Sequence, residues 1–314
     1  MNCSIVIRAY NEEKHLGRLL EGIRQQTLHD VEVILVDSGS TDATVSIVEA
    51  HGARIVHIPP AEFTFGRSLN AGIRAASCEL VVIASAHVYP LYPDWLQSLL
   101  RPFADPSVAL SYGKQRGPAA AKFSEQQIFR QWYPDVSVQP QPTAFCNNAN
   151  AAIRRSLWER HPYDEALTGL EDLAWAKWAR EQGHAIAYAA EAEIIHVHDE
   201  TPRGVFNRYR REGMAFKRIH PEAHFSLYDF TRLTVANILS DLWYAARGGL
   251  LMRSLASIFW FRFMQFHGTR LGYRDSGLLT PQLRETFYYA RRGGPVETGA
   301  REIEPIRYAD ADKK

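Results

Sequence analysis

Val31–Thr44 reads VEVILVDSGSTDAT. An apolar run from Val31 to Val36, interrupted only by Glu32, ends on an acid, Asp37. It passes through Ser38, Gly39 and Ser40 into Thr41, Asp42 and a helical pattern closed by Gly52. An apolar run of this length, bounded by turn residues, reads as a strand buried on both faces, and such strands belong to parallel sheets covered by helices. An acid at the strand end can accept hydrogen bonds from a base or a ribose. The Gly-Ser turn lets backbone amides approach a ligand, and the next helix N-terminus favours an anion. A capped helix with no ligand explains the same residues.

The flanking sequence repeats the pattern. SIVIRAY is a β-branched run, followed by NEEKHLGRLLEGIRQQ with Leu16, Leu19, Leu20 and Ile23 at helical spacing. ARIVHIP, GRSLNAGIRAAS and ELVVIASAH continue as strand, helix and strand. This order predicts an α/β fold: a doubly wound, mostly parallel sheet flanked by helices. Ligands of such sheets bind outside the carboxyl ends of the strands. Three polar clusters, Tyr10–Glu12, Asp37–Asp42 and Ser85–His87, fall on that rim.

Further along, YPDWLQSLLRPFAD reads as a helix and VALSYGKQR as a strand. GPAAAKFSEQQIFRQWYPDVSVQPQP is expected to be a loop over the site. FCNNANAAIRRSLWER reads as a strand turning into a helix, EDLAWAKWAREQG as a helix and AIAYAAEAEIIHVH as a strand pair. Beyond about Phe225 long helical patterns take over. The expected organisation is a catalytic region over 1–225, a helical C-terminal extension over 226–292 and a loosely ordered tail over 293–314.

The 314 residues, 46% hydrophobic and 23% charged, suffice for a sizeable core. A net charge of +1 argues against nucleic acid as a partner. Between Arg203 and Arg274, however, twelve Lys or Arg face four Asp or Glu, a local balance of +8. That pattern suggests an anionic surface or a phosphorylated ligand; a solvated helical face is the plainer reading. Cys3, Cys78 and Cys146 are far apart and odd in number, which fits neither a zinc motif nor a disulfide framework and favours a reducing, cytoplasmic setting. No signal peptide and no membrane-spanning apolar run is read.

Two further motifs carry chemistry. Glu171 and Asp172 are adjacent acids where TGLED meets a helix start. They suit a general base taking a proton from an attacking hydroxyl, or simply the helix dipole. His196 and His198 in IIHVHDE alternate along a strand and so face one side. Such a pair can hold a metal or phosphate, or be structural.

RAYNEEKHLGRLLEGIRQQT, VEVILVDSGSTDAT, GRSLNAGIRAA, FCNNANAAIRRSLW and GLEDLAWAKWAREQGHAIAYAAEAEIIHVH together resemble the family 2 glycosyltransferases of the GT-A fold. The resemblance covers roughly Cys3 to Gly213 and is nearest to bacterial rhamnosyltransferase-like enzymes of surface polysaccharide synthesis. The absence of QxxRW implies a non-processive member. Carried over, the resemblance implies that Ala9, Tyr10, Glu12 and Asp37 hold the base and ribose, with Ser40 and Asp42 close by. Arg67, Asn70, Ser85 and Ala86 would complete the donor site. Asp172 would be the catalytic base, with Glu171 beside it.

Ser85-Ala86-His87 stands where the resemblance implies an acidic DxD motif. A DxH variant, in which the His is a metal ligand, occurs in the similar polypeptide N-acetylgalactosaminyltransferases. The resemblance therefore implies a Mn²⁺ or Mg²⁺ site built from His87 with His198 or His196. The alternative is that protonated His87 and Arg67 neutralise the diphosphate without a metal. The implied reaction is inverting transfer from a nucleoside-diphosphate sugar to a saccharide or polyprenyl-linked acceptor. The C-terminal helices would meet the acceptor, the inner face of the plasma membrane or a second copy of the chain. A catalytically silent sugar-nucleotide-binding subunit and a nucleotidyltransferase are the competing readings. The second lacks the Gly-rich basic loop it would need near the N-terminus.

Overall fold

The structure is a computed structural model and describes residues 2–198, 200–274 and 303–308. The first half alternates as expected. β1 (Cys3–Ala9), β2 (Val31–Asp37), β3 (Arg54–His57) and β4 (Leu80–Ser85) are separated by α1 (Glu13–Arg24), α2 (Thr44–Ala50) and α3 (Phe65–Ala75). β5 (Val88–Pro90), α4 (Trp95–Leu100) and β6 (Val108–Arg116) follow, then α5 (Phe123–Trp132). β7 (Asn150–Arg154) runs into α6 (Arg155–Arg160), and α7 (Glu171–Glu181) precedes β8 (Ala185–His196). Three long helices close the described chain: α8 (Pro202–Ile219), α9 (Leu227–Arg247) and α10 (Leu251–Arg274).

One eight-stranded sheet runs in the order β3-β2-β1-β4-β7-β6-β8-β5. β1 lies parallel to β2 and β4, β2 to β3, and β6 to β8. β7 is antiparallel to β4 and β6, and β5 to β8. The sheet is thus mixed. Its β3-β2-β1-β4 half is all parallel, and this half carries the three polar clusters at its carboxyl edge.

Both faces of the sheet are covered. Ile5, Ile7 and Leu35 pack with Leu16, Leu19, Leu20 and Ile23 of α1, all buried. Val6, Ile34 and Val36 pack with Leu69 and Ile73 of α3. Each fully buried aliphatic side chain contributes about 1.5–3 kcal/mol. This is why period-2 strands and 3.6-period helices in the sequence settle into three layers.

Two local expectations are corrected. The segment expected to be wholly loop contains α5, whose Phe123, Ile128 and Phe129 are buried at helical spacing. The Ala- and Pro-rich flanks mask that pattern. The expected strand pair is the single strand β8. Its register with β6 jumps from Gly113↔Ala189 to Gln115↔Ile194, and the irregularity breaks the period.

Helix takes over before the expected residue 226, since α8 packs along α10. Residues 275–302 and 309–314, which include most of the expected tail, lie outside the described residues. Within 303–308, the Ile306 amide donates to Leu91 O at 2.9 Å, and the Tyr308 ring lies edge-on to Tyr89.

Candidate active site

The first two rim loops are laced together. The Asn11 amide donates to Ser40 Oγ at 2.9 Å, and the Thr41 amide to Asn11 Oδ1 at 2.8 Å. Asp42 accepts the Glu13 and Thr44 amides, while Glu13 accepts the Ala43 amide. The Glu12 amide donates to Thr44 Oγ1 at 2.7 Å. Asn11 holds a positive φ of 54° to make the turn, a backbone conformation Asn tolerates better than most residues.

Asp37 is buried at the end of β2, where its two oxygens accept the Gly39 and Ser40 amides. Burial alone would raise its pKa. The hydrogen bonds from Ser40, Gly39 and His57 outweigh burial and hold the carboxyl below its usual range. Tyr10 stands exposed above, and the Ala9 carbonyl is occupied by Ser38.

The third rim loop carries His87 into a cluster of three imidazoles. Nδ1 of His87 meets Glu12 Oε1 at 2.7 Å, and Nε2 meets Ser85 Oγ at 3.0 Å. Its ring stacks on His196 at 5.1 Å between centroids. Nδ1 of His196 meets Gln115 Oε1 at 2.8 Å, and Nδ1 of His198 meets Glu125 Oε1 at 2.7 Å. The Nε2 atoms of His196 and His198 approach to 3.0 Å. His198 lies just beyond the end of β8 but faces the same way as His196.

One nitrogen from each ring falls within 4.8 Å of the others. Burial, then neighbouring cationic groups, lowers the pKa of His196 and of His198 far below the ordinary value, so both rings are neutral near pH 7. Neutral imidazoles, each tied down through Nδ1 to an oxygen, are the donors and supports that a divalent transition metal requires. The set fits Mn²⁺ better than Mg²⁺, which prefers carboxylate and water oxygens.

The carboxylate pair comes from α7. Glu171 and Asp172 open α7 behind Leu170, whose φ of 55° is strained for a residue with a Cβ. Both acids are buried. Asp172 Oδ2 accepts the Asn148 amide at 2.9 Å, and Oδ1 accepts the Leu173 amide at 2.8 Å. Burial first, then the charge of Glu171, pushes the Asp172 carboxyl up to about 7 against the pull of these amides and Arg8. The next residue after Asn148 closes the circuit: the Ser85 amide donates to Ala149 O at 3.4 Å. One loop, Asn147–Ala149, therefore touches both the carboxylate pair and the strand end that leads to His87.

Three expected donor residues have their side chains engaged within the protein. Asn70 is buried and fully used. Its amide donates to Tyr163 O and Glu165, and its oxygen accepts from Trp158 Nε1 and the Tyr163 amide. No capacity remains for a ligand. Arg67 is held by Glu62 at 2.6 Å and Glu165 at 2.9 Å rather than free to meet a diphosphate. Ala86 is a core side chain. Sequence reasoning missed Gln115, Glu125 and Asn148. Glu125 lies on the unrecognised α5; the other two are ordinary polar residues whose roles exist only in three dimensions.

The strand order, the laced loops at the carboxyl edge, the histidine cluster and the buried carboxylate pair tied through Asn147–Ala149 to the end of β4 are the features of a GT-A transferase. The chain belongs to glycosyl transferase family 2, whose sequence profile matches residues 4–161. It is 28% identical over 227 residues to the O-antigen chain rhamnosyltransferase RfbN of Salmonella typhimurium, spanning 68% of this chain and 72% of that one. The O-antigen chain rhamnosyltransferase WbaN of Salmonella anatum is 28% identical over 224 residues, spanning 67% and 71%.

Among solved structures, a mannosyltransferase from Pyrobaculum calidifontis in complex with GDP-Man and Mn²⁺ superposes with a TM-score of 0.59. It covers 86% of each chain at 19% identity. Staphylococcus aureus TarS in complex with UDP-GlcNAc gives 0.55 at 16% identity, covering 88% of this chain and 92% of that one. At these identities the likeness is one of fold.

Proposed function

We propose that the chain transfers a sugar, with inversion, from a nucleoside-diphosphate sugar to a hydroxyl of a saccharide or polyprenyl-linked saccharide in cell-surface polysaccharide synthesis. The observation that carries this is the Asn147–Ala149 loop, which joins the Glu171–Asp172 pair to the strand end bearing His87. In this reading Asp37 and the laced loops around Tyr10, Glu12 and Ser40 bind the nucleoside. Asp172 takes the proton from the acceptor hydroxyl as that oxygen attacks the anomeric carbon, and the nucleoside diphosphate departs from the opposite face. A raised carboxyl is suited to this task, because a base of near-neutral pKa accepts the proton readily and is still ionised in part at pH 7. Holding both substrates against one rim supplies a further large share of the rate.

His87, His196 and His198 would hold a divalent cation, with Glu12, Gln115 and Glu125 fixing the rings. When bound, it supplies positive charge for the diphosphate leaving group. The assay is turnover of a panel of UDP-, dTDP- and GDP-sugars with Mn²⁺. One donor should be hydrolysed or transferred. Tight nucleotide binding without turnover of any donor would favour the silent-subunit reading.

Exposed apolar side chains on α9 and α10 support a reading in which the chain works at an anionic membrane surface, the inner face of the plasma membrane. Val235, Leu239 and Trp243 line α9, and Met252, Phe259 and Phe263 line α10, all exposed. Arg247 stacks on Trp243 at 4.6 Å, and Arg253 stands beside Met252 in the chain. Among the described residues no helix is long and apolar enough to cross a membrane. Surface docking by apolar and basic side chains needs no such helix. Flotation with phosphatidylglycerol vesicles should carry the protein upward, and Trp243→Ser with Phe259→Ser should abolish this. Flotation unchanged by the double variant would leave the face to a second copy or to the acceptor.

A further inference from the structure

We propose that Arg8 and Arg211 form a receptor for a phosphoryl group carried by the acceptor, next to the Glu171–Asp172 pair. The word acceptor rests on the function proposed above; the anion site rests on its own geometry.

Arg8 is the penultimate residue of β1, and its side chain leaves the sheet on the same face as Val6, toward α3. Its guanidinium lies over the Phe65 ring, 4.7 Å from the centroid. The guanidinium of Arg211, on α8, lies over the same ring at 4.6 Å. Two cations from distant parts of the chain thus meet on one aromatic side chain at the start of α3. Cation–π contact holds them but satisfies none of their N–H donors.

Those donors are unspent. Nε and Nη1 of Arg8 are buried and have no hydrogen-bond partner. The nearest ion pair, Nη1 to Glu171 Oε1, is 3.6 Å, too long for a hydrogen bond. Among the described residues the Arg211 guanidinium makes no hydrogen bond or ion pair. Buried donors such as those of Arg8 are normally paired, and the exceptions call for a ligand or a function; Arg211, which is exposed, has its donors open to the same ligand. Compensation of the Glu171 charge alone would need one guanidinium in hydrogen-bonding geometry, not two outside it.

The surroundings fix the pair beside the base. Thr168 Oγ1 donates to the Arg211 carbonyl at 2.9 Å, so the loop that delivers Glu171 and Asp172 also grips α8. Gly169 leaves the guanidinium stem room, since a Cβ there would come only to 3.7 Å of Arg211 Nε. Guanidinium forks match phosphoryl oxygens in two-pronged contacts. The donor diphosphate is assigned to the histidine cluster, so these two cations serve a second phosphoryl group on the acceptor side. An acceptor linked through phosphate to a lipid or a neighbouring saccharide has that chemistry.

The test uses inorganic phosphate as the probe and the full chain saturated with a nucleoside diphosphate. Calorimetry should reveal phosphate binding that Arg211→Gln weakens at least tenfold and Arg211→Lys weakens less, with nucleotide affinity unchanged in both. Arg211 is accessible to solvent, so its variants report on binding even if Arg8→Gln fails to fold. No phosphate binding to the nucleotide-saturated chain would overturn the proposal. So would equal losses of phosphate and nucleotide affinity in Arg211→Gln, which would give the pair to the donor. Failure of the transferase reading shows itself separately, as absent sugar transfer with phosphate binding intact.

Discussion

Nε2 of His198 lies 3.0 Å from Nε2 of His196, while Nδ1 of each ring is held by an oxygen of another side chain. In a neutral ring whose Nδ1 donates to an oxygen, Nε2 carries a lone pair. Both lone pairs therefore face one point, and Nδ1 of His87 is likewise held by Glu12. Calorimetric titration should therefore register binding of Mn²⁺ and Co²⁺ but little of Mg²⁺. His198→Ala should abolish the binding. Gln115→Ala, which frees the His196 ring, should weaken it roughly 10- to 100-fold. Equal Mg²⁺ and Mn²⁺ affinities would mean that the imidazoles are not the ligands.

The Asp172 carboxyl sets the pH dependence. Its pKa rises from 3.8 to about 7 on folding. Turnover that needs the ionised base should rise with pH through about 7. The stability consequence has the opposite sign. A folded-state pKa above the unfolded value favours the protonated native form, so that contribution is complete below about pH 4 and is lost as pH rises through 7. Asp172→Asn never acquires the charge, so its melting temperature relative to the parent should climb between pH 4 and 8. A constant difference would remove the raised pKa from the account.

Asn70 makes a separable prediction, because its four hydrogen bonds tie α3 to Trp158, Tyr163 and Glu165. Asn70→Ala strands buried donors and should cost about 3 kcal/mol in urea unfolding. Nucleotide affinity should stay within twofold in the fraction that remains folded. A selective loss of nucleotide affinity would return this residue to the donor site.

The C-terminal helices hinge on Asp241 and Arg262, both buried and joined by two hydrogen bonds of 2.7 and 2.9 Å. Asp241→Ala leaves a buried guanidinium unpaired and should lose about 3–5 kcal/mol. The double change Asp241→Leu with Arg262→Met should regain most of it. Thermal unfolding of the parent and the two variants would check both statements.

That pair also explains what the sequence could and could not convey. Asp241, Arg247, Arg253 and Arg262 form no single polar face when read as a helical pattern. The structure resolves this by turning one oppositely charged pair inward. The alternation of strands and helices from Cys3 to Ser85 was legible, because each element carries its own hydrophobic period and its own Gly or polar punctuation. β8 was misread because an irregularity interrupts its period, and α5 because its apolar stripe is short. At the site, Asp37, His87, Asp172, His196 and His198 stood out as reactive side chains at element ends. Gln115, Glu125, Asn148, Arg8 and Arg211 did not, since their roles come from contacts between segments far apart in the chain. Asn70 misled for the converse reason: an amide on a helix near the rim looks like a ligand contact until its partners are seen.

The most direct measurement is sugar transfer by Asp172→Asn alongside its nucleotide affinity. Loss of the base should lower turnover by a factor on the order of 10² to 10⁴. Nucleotide binding should match the parent, because Asp172 touches Asn148 and Leu173 rather than the loops around Asp37. Turnover close to that of the parent, in a variant verified by mass, would contradict the assignment of the α7 carboxylate as the proton acceptor.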